Sequence, residues 1–160
     1  MIDKFHATES WKDMYPEASV GLLLMTNVGS LSSESLDDTR SSLQEELRIK
    51  FDGADRAVIR ALPRMLAYNS YYRRFKKTYH VQLQLESVAL KGRPIRPVLP
   101  LVDAMYLSEL SHHLLTAGHD WDLIEPPLII DVAKGDDVYI TFNQKEQILQ
   151  KGDMMISDAK

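Results

Sequence analysis

Apolar positions recur along this chain in two rhythms, and the point where one replaces the other organises the reading. Leu36, Leu43, Leu47 and Phe51 repeat at helical spacing until Gly53 offers a stop, with Ser35 three residues before Asp38 as a capping-box-like start. Ala57, Val58, Ala61 and Leu62 predict a short helix ended or kinked by Pro63. That proline suits the first position of a further helix carrying Tyr68, Tyr71, Tyr72 and Phe75. Val81, Leu85, Val88 and Ala89 form another apolar stripe before Gly92. Arg93 to Pro97, with two prolines in five residues, predicts an extended connector. Val98, Leu101, Val102, Met105, Leu110 and Leu114 then mark a helix running toward Gly118, with Pro100 in its first turn and Asp103 inside it.

After that the period becomes strand-like. Leu128 to Val132 and Val138 to Phe142, joined by the turn-like Lys134 to Asp137, predict a hairpin, and Gln147 to Leu149 with Met154 to Ile156 a second, smaller pairing. Earlier in the chain, Val20 to Met25 is short, apolar on both faces and bounded by Pro16 and by Asn27 to Ser33, which predicts a buried central strand. The expected class is mixed α/β, helices dominating Leu36 to Leu115 and strands Leu128 to Ile156. No repeat or linker splits the chain, so one domain is expected over residues 1–160. Met154 to Ile156 ends without the polar tail or terminal helix that would close a sheet. The fold is therefore expected to continue past Lys160, or to pair its C-terminal edge with a neighbouring copy in a homo-oligomer.

Composition narrows the function. The 160 residues are 44% apolar, enough for one substantial core, and contain no Cys, which removes disulfides, thiolate nucleophiles and Cys-held metals and favours the reducing cytoplasm. The N-terminal residues lack the basic-then-apolar order of a signal peptide, and no apolar run is long enough to span a bilayer. A net charge of −4 means that any nucleic-acid contact must come from a local patch.

Such a patch is Tyr71 to His80, where Arg73, Arg74, Lys76 and Lys77 could hold phosphates while tyrosines stack on unpaired bases. The alternative is an ordinary helix whose Tyr68, Tyr72 and Phe75 pack inward under solvated cations. A second cluster contains His112, His113, His119, Asp120 and Asp122. His113, His119 and Asp122 could in principle converge on a metal, but their spacing matches no metal motif, and the His112–His113 pair equally suits a helix C-terminus. His119, after Gly118, could present a ring nitrogen to a cleft, or simply sit in a turn held by Asp120 and Asp122. The chain has no G-x-S-x-G, P-loop, G-x-G-x-x-G or H-E-x-x-H.

Tyr72-Arg73-Arg74-Phe75, Pro100-Leu101-Val102-Asp103, Gly118 to Ile124 and Ile130 to Asp136 occur in an order and spacing that resemble the tRNA-editing domain of the phenylalanyl-tRNA synthetase beta subunit and its freestanding relatives. The similarity runs from about Ala67 to Asp158. It implies a cleft for the aminoacylated 3′ end of tRNA and hydrolytic release of mischarged tyrosine; separately, no cofactor and no metal are expected. His119 falls at the family's cleft histidine and Asp103 at its helix aspartate, so these are the expected catalytic residues, the alternative for Asp103 being a structural carboxylate that bonds nearby backbone donors. Tyr72, Arg73, Arg74 and Gly118 are the expected substrate-binding residues, and Asp103, His119 and the Arg73–Arg74 pair are expected to approach one concavity. Two positions depart from the pattern: Tyr106 replaces an Asn, and the family's glycine-rich acidic segment would lie beyond Lys160. Two alternatives are a non-catalytic module for RNA or an amino acid, and a metal-dependent hydrolase of a small molecule.

Overall fold

The structure, a computed structural model, describes residues 4–29, 32–141 and 143–159. It is a mixed α/β protein with helices in the middle of the chain and strands toward its C-terminus. Two compact units can be distinguished: Met1–Leu24 with His119–Lys160, and Met25–Gly118.

The terminal unit comprises β1 (Phe5–Ala7), α1 (Glu9–Met14), β2 (Leu128–Val132), β3 (Val138–Ile140), β4 (Glu146–Ile148) and β5 (Met154–Ser157). Its sheet has the order β1-β2-β5, with β1 parallel and β5 antiparallel to β2. One hydroxyl ties three elements together. Thr8 Oγ1 accepts the Trp11 amide at 3.1 Å, capping α1 directly after β1, and donates to Asp131 Oδ1 on β2 at 2.6 Å. Trp11 is buried, and the Tyr15 hydroxyl donates to the carbonyl of Gly152.

The expected hairpin of Leu128–Val132 with Val138–Phe142 is not the pairing found. Both sides of β2 are occupied by β1 and β5, and the ladder to β5 continues through Ala133 N–H to Asp153 O at 2.8 Å. Strand β3 pairs instead with β4, placing Val138 opposite Ile148 and Ile140 opposite Glu146. Phe142 lies outside the described residues. The expected strand Val20–Met25 is also corrected: it is irregular and has no ladder partner among the described residues, and Leu23 is 85% exposed. A strand exists only where another offers its N–H and C=O groups, and an apolar run alone does not supply them.

The helical unit comprises α2 (Asp37–Lys50), α3 (Arg56–Arg60), α4 (Pro63–Arg73), α5 (His80–Ala89) and α6 (Pro100–His112). The predicted capping box does not form. Ser35 Oγ donates to the Ser32 carbonyl within a 3₁₀ turn over Ser33–Leu36, and α2 starts with Asp37 and Asp38 in its first turn, where their charge suits the helix dipole. Asp55 caps α3 by accepting from the Ala57 and Val58 amides. Pro63 and Pro100 open α4 and α6 at positions that need no N–H. Helix α6 stops short of Gly118, because His113 turns to a left-handed φ of 57°. The stripes meet in one core: Leu43 and Leu47 from α2 with Phe51 at its C-cap, Ile59, Met65, Tyr79, then Val81, Leu85 and Val88 from α5, and Leu107 and Leu110 from α6.

Candidate nucleic-acid groove

The joint between α3 and α4 forms a groove. Arg56 and Arg60 stand one turn apart on α3, and Leu66, Asn69, Ser70 and Arg73 follow at i, i+3, i+4 and i+7, a single face of α4. The neighbouring side of α4 carries buried Met65 and half-buried Tyr68 and Tyr72 into the core. Arg60, Leu66, Asn69, Ser70 and Arg73 line a hollow of ≈ 320 Å³. An adjoining hollow of ≈ 520 Å³, lined by Arg56, Ala57, Arg60, Ala61 and Leu66, shares Arg60 and Leu66 with it. Arg60 and Arg73 form no ion pair among the described residues, leaving their charge to the groove. Leu66 is 56% exposed between them.

Beneath this surface runs a polar network. Arg56 Nε donates to Glu86 Oε1 at 2.8 Å, Gln82 Nε2 donates to the same oxygen at 2.5 Å, and Asn69 Nδ2 donates to Gln82 Oε1 at 2.6 Å. Gln82 is 1% exposed, so α5 supplies a buried and hydrogen-bonded floor for two of the groove residues.

The residues singled out from the sequence are placed very differently. Asp103 is 4% exposed. Its Oδ2 accepts from Arg40 Nη2 at 2.9 Å and its Oδ1 from the Val98 amide at 2.9 Å, while Arg40 also reaches Asp37. Both carboxylate oxygens are thus engaged in anchoring α6 to α2 and to the connector before it. His119 is exposed and belongs to the terminal unit, whereas Asp103, Tyr72, Arg73, Arg74 and Gly118 belong to the helical one. Asp120 Oδ1 accepts the Asp122 amide at 3.1 Å and caps the 3₁₀ turn Trp121–Leu123, the ordinary turn reading of this segment.

Arg73 lines the groove. Arg74 instead lies 5.9 Å from the centre of the Phe75 ring. Tyr72 stacks on buried Tyr79 with ring centres 5.5 Å apart, and Tyr68 stacks on the same ring at 4.2 Å. Tyr68 and Tyr72 thus pack against the core, and Phe75, just past the end of α4, is buried as well. Gly118 was expected to permit a sharp turn, but its φ is not in the left-handed region; a Cβ there would come within 2.8 Å of Met105 Sδ, which lies near the end of a flexible side chain.

His113 is buried, and its Nε2 has no partner among the described residues. Burial first, then Lys50, Arg64 and His112 nearby, push its pKa below the ordinary histidine value. Among the described residues no three His, Asp or Glu side chains gather as a metal site requires, and no helix is long and apolar enough to cross a membrane.

Fold and groove together define a mixed α/β chain with an arginine-lined surface. Set against protein-family models, curated proteins and solved structures, it matches none of them. Reading the sequence missed Arg56, Arg60, Leu66, Asn69 and Ser70. The available signal was Arg56 and Arg60 at i, i+4, two isolated arginines that one helix turn aligns.

Proposed function

We propose that the helical unit binds single-stranded RNA, such as the 3′ end of a tRNA, in the groove between α3 and α4. The observation that supports this most is the convergence of Arg60 and Arg73, which form no ion pair among the described residues, with exposed Leu66 and the polar Asn69 and Ser70 on one concave surface. Phosphates need cations, an unpaired base needs an apolar or planar surface to rest on, and its edge needs hydrogen-bonding groups. The groove offers all three on a chain whose net charge is −4, so the attraction is local. The resemblance to the tRNA-editing domain points to the same class of ligand.

Ester hydrolysis would add a positioned water and a polar group to hold it. Asp103 is committed to Arg40 and Val98, so binding without turnover is the reading the site supports best. The test is fluorescence anisotropy with a labelled 12-nucleotide single strand and with the corresponding duplex. Binding of the single strand that weakens at least several-fold in Arg60→Ala is expected. Equal binding by wild type and Arg60→Ala, or none by either, would overturn the proposal.

A further inference from the structure

We infer that Asn69 is the specificity-determining residue of the groove, reading the hydrogen-bonding edge of one unpaired nucleobase with an amide whose polarity is locked from below. This rests on the RNA-binding reading and goes further by naming what is read and by which atoms. The lock follows from donor and acceptor chemistry alone. A guanidinium can only donate, so Glu86 Oε1, which Arg56 Nε reaches at 2.8 Å, must be an acceptor. Gln82 therefore turns Nε2 toward Glu86, at 2.5 Å, and Oε1 toward Asn69. Asn69 must then offer Nδ2 to Gln82, at 2.6 Å. Gln82 and Glu86 are 1% and 5% exposed, so water does not compete for these bonds and the order is not readily reversed.

One Nδ2–H of Asn69 is thereby used. Its second Nδ2–H and its Oδ1 have no partner among the described residues, and Asn69 lines the hollow beside Arg60, Leu66 and Arg73. A donor and an acceptor held side by side match the edge of a base, which carries an acceptor next to an N–H, and do not match a phosphate, which carries acceptors only. Leu66, at the same hollow, can support the ring while the arginines hold the backbone. The groove is thus built to distinguish a nucleic acid with accessible bases from a bare polyanion.

The test uses the full chain and three 12-nucleotide ligands: oligouridine, the same oligomer of 3-methyluridine, and an abasic strand of equal length. 3-Methyluridine keeps the ring and the charge but loses the N–H of its edge. Wild type should bind oligouridine about tenfold more tightly than either other ligand, the size of discrimination one bidentate contact supplies. Asn69→Leu should bring oligouridine down to the 3-methyluridine level and leave the salt dependence unchanged. Because Asn69→Leu strips a buried partner from Gln82, the comparison of ligands on wild type stands independently of that variant. Equal affinity of wild type for oligouridine and 3-methyluridine would overturn the role of Asn69 while leaving RNA binding intact. No affinity for any of the three would overturn both.

Discussion

The two units of this protein are built in opposite ways. The helical unit is one continuous stretch, Met25–Gly118, in which each helix makes its own backbone hydrogen bonds and contributes an apolar stripe to a single core. The terminal unit is assembled from both ends of the chain, and β1 reaches β2 across more than a hundred residues, with Phe5 paired to Leu128. Local rules are enough to build the first. The second depends on which distant segments meet, which no local rule states.

The largest expected effect tests the polar interior of the helical unit. Asp103→Ala leaves the Arg40 guanidinium, 8% exposed, without its buried partner and removes the acceptor of the Val98 amide. A loss of about 3–5 kcal/mol is expected in urea unfolding followed by helical circular dichroism. A loss below about 1 kcal/mol would mean that the pair does not hold α6 as described.

A smaller effect is expected in the terminal unit from Thr8→Val, which removes both the cap of α1 and the bond to Asp131. About 1–3 kcal/mol is expected, since a cap and a charge-assisted hydrogen bond are lost together. Both tryptophans, Trp11 and Trp121, lie in this unit, so their fluorescence follows it directly. An unshifted fluorescence transition would show that Thr8 is not the junction of β1, α1 and β2.

Acidification should separate the two units without mutation. The pKa of His113 is lowered in the folded state, so the unfolded chain takes up that proton first, and helical stability should fall as pH drops below about 6.5. The Asp131 carboxyl is also held below its ordinary value, by the Thr8 hydroxyl first and then the Val132 amide. That contribution persists above about pH 4 and is lost only below it. Unfolding by dichroism and by tryptophan fluorescence between pH 7.5 and 3 should show the helical signal weakening first. His113→Asn, which tolerates the left-handed turn at φ 57°, should flatten the helical response between pH 7.5 and 5. An unchanged slope would remove His113 as its source.

The same contrast governs what could be read in advance. The stripes Leu43–Leu47–Phe51 and Val81–Leu85–Val88 name their helices because the period of a helix is written in consecutive residues, and Pro63 and Pro100 mark helix starts by chemistry alone. Strands β2, β3 and β5 were legible as strands, but the partner of each was not. Leu128–Val132 and Val138–Ile140 suit a hairpin equally well until β5 takes the place beside β2. Val20–Met25 misled for the same reason, since apolar content resembles a core strand whether or not a ladder is offered. Arg73, which lines the groove, belongs to the basic run that stands out in the sequence. Arg60, Asn69 and Leu66 become a surface only once α3 and α4 meet at Pro63, and the burial of Asp103 depends on Arg40, 63 positions away.

Arg60 and Arg73 are the groove cations proposed to meet phosphates of a single strand, and that contact sets the salt dependence of binding. The contact is tested most directly by measuring RNA affinity against salt concentration for wild type and for Arg60→Ala/Arg73→Ala. Each phosphate contact on a single strand contributes about 0.7 to the slope of log affinity against log salt, so the double variant should lower that slope by about 1.4 and weaken binding at every salt concentration. Identical slopes for the two proteins, with RNA still bound, would place the strand elsewhere on the molecule and contradict the account.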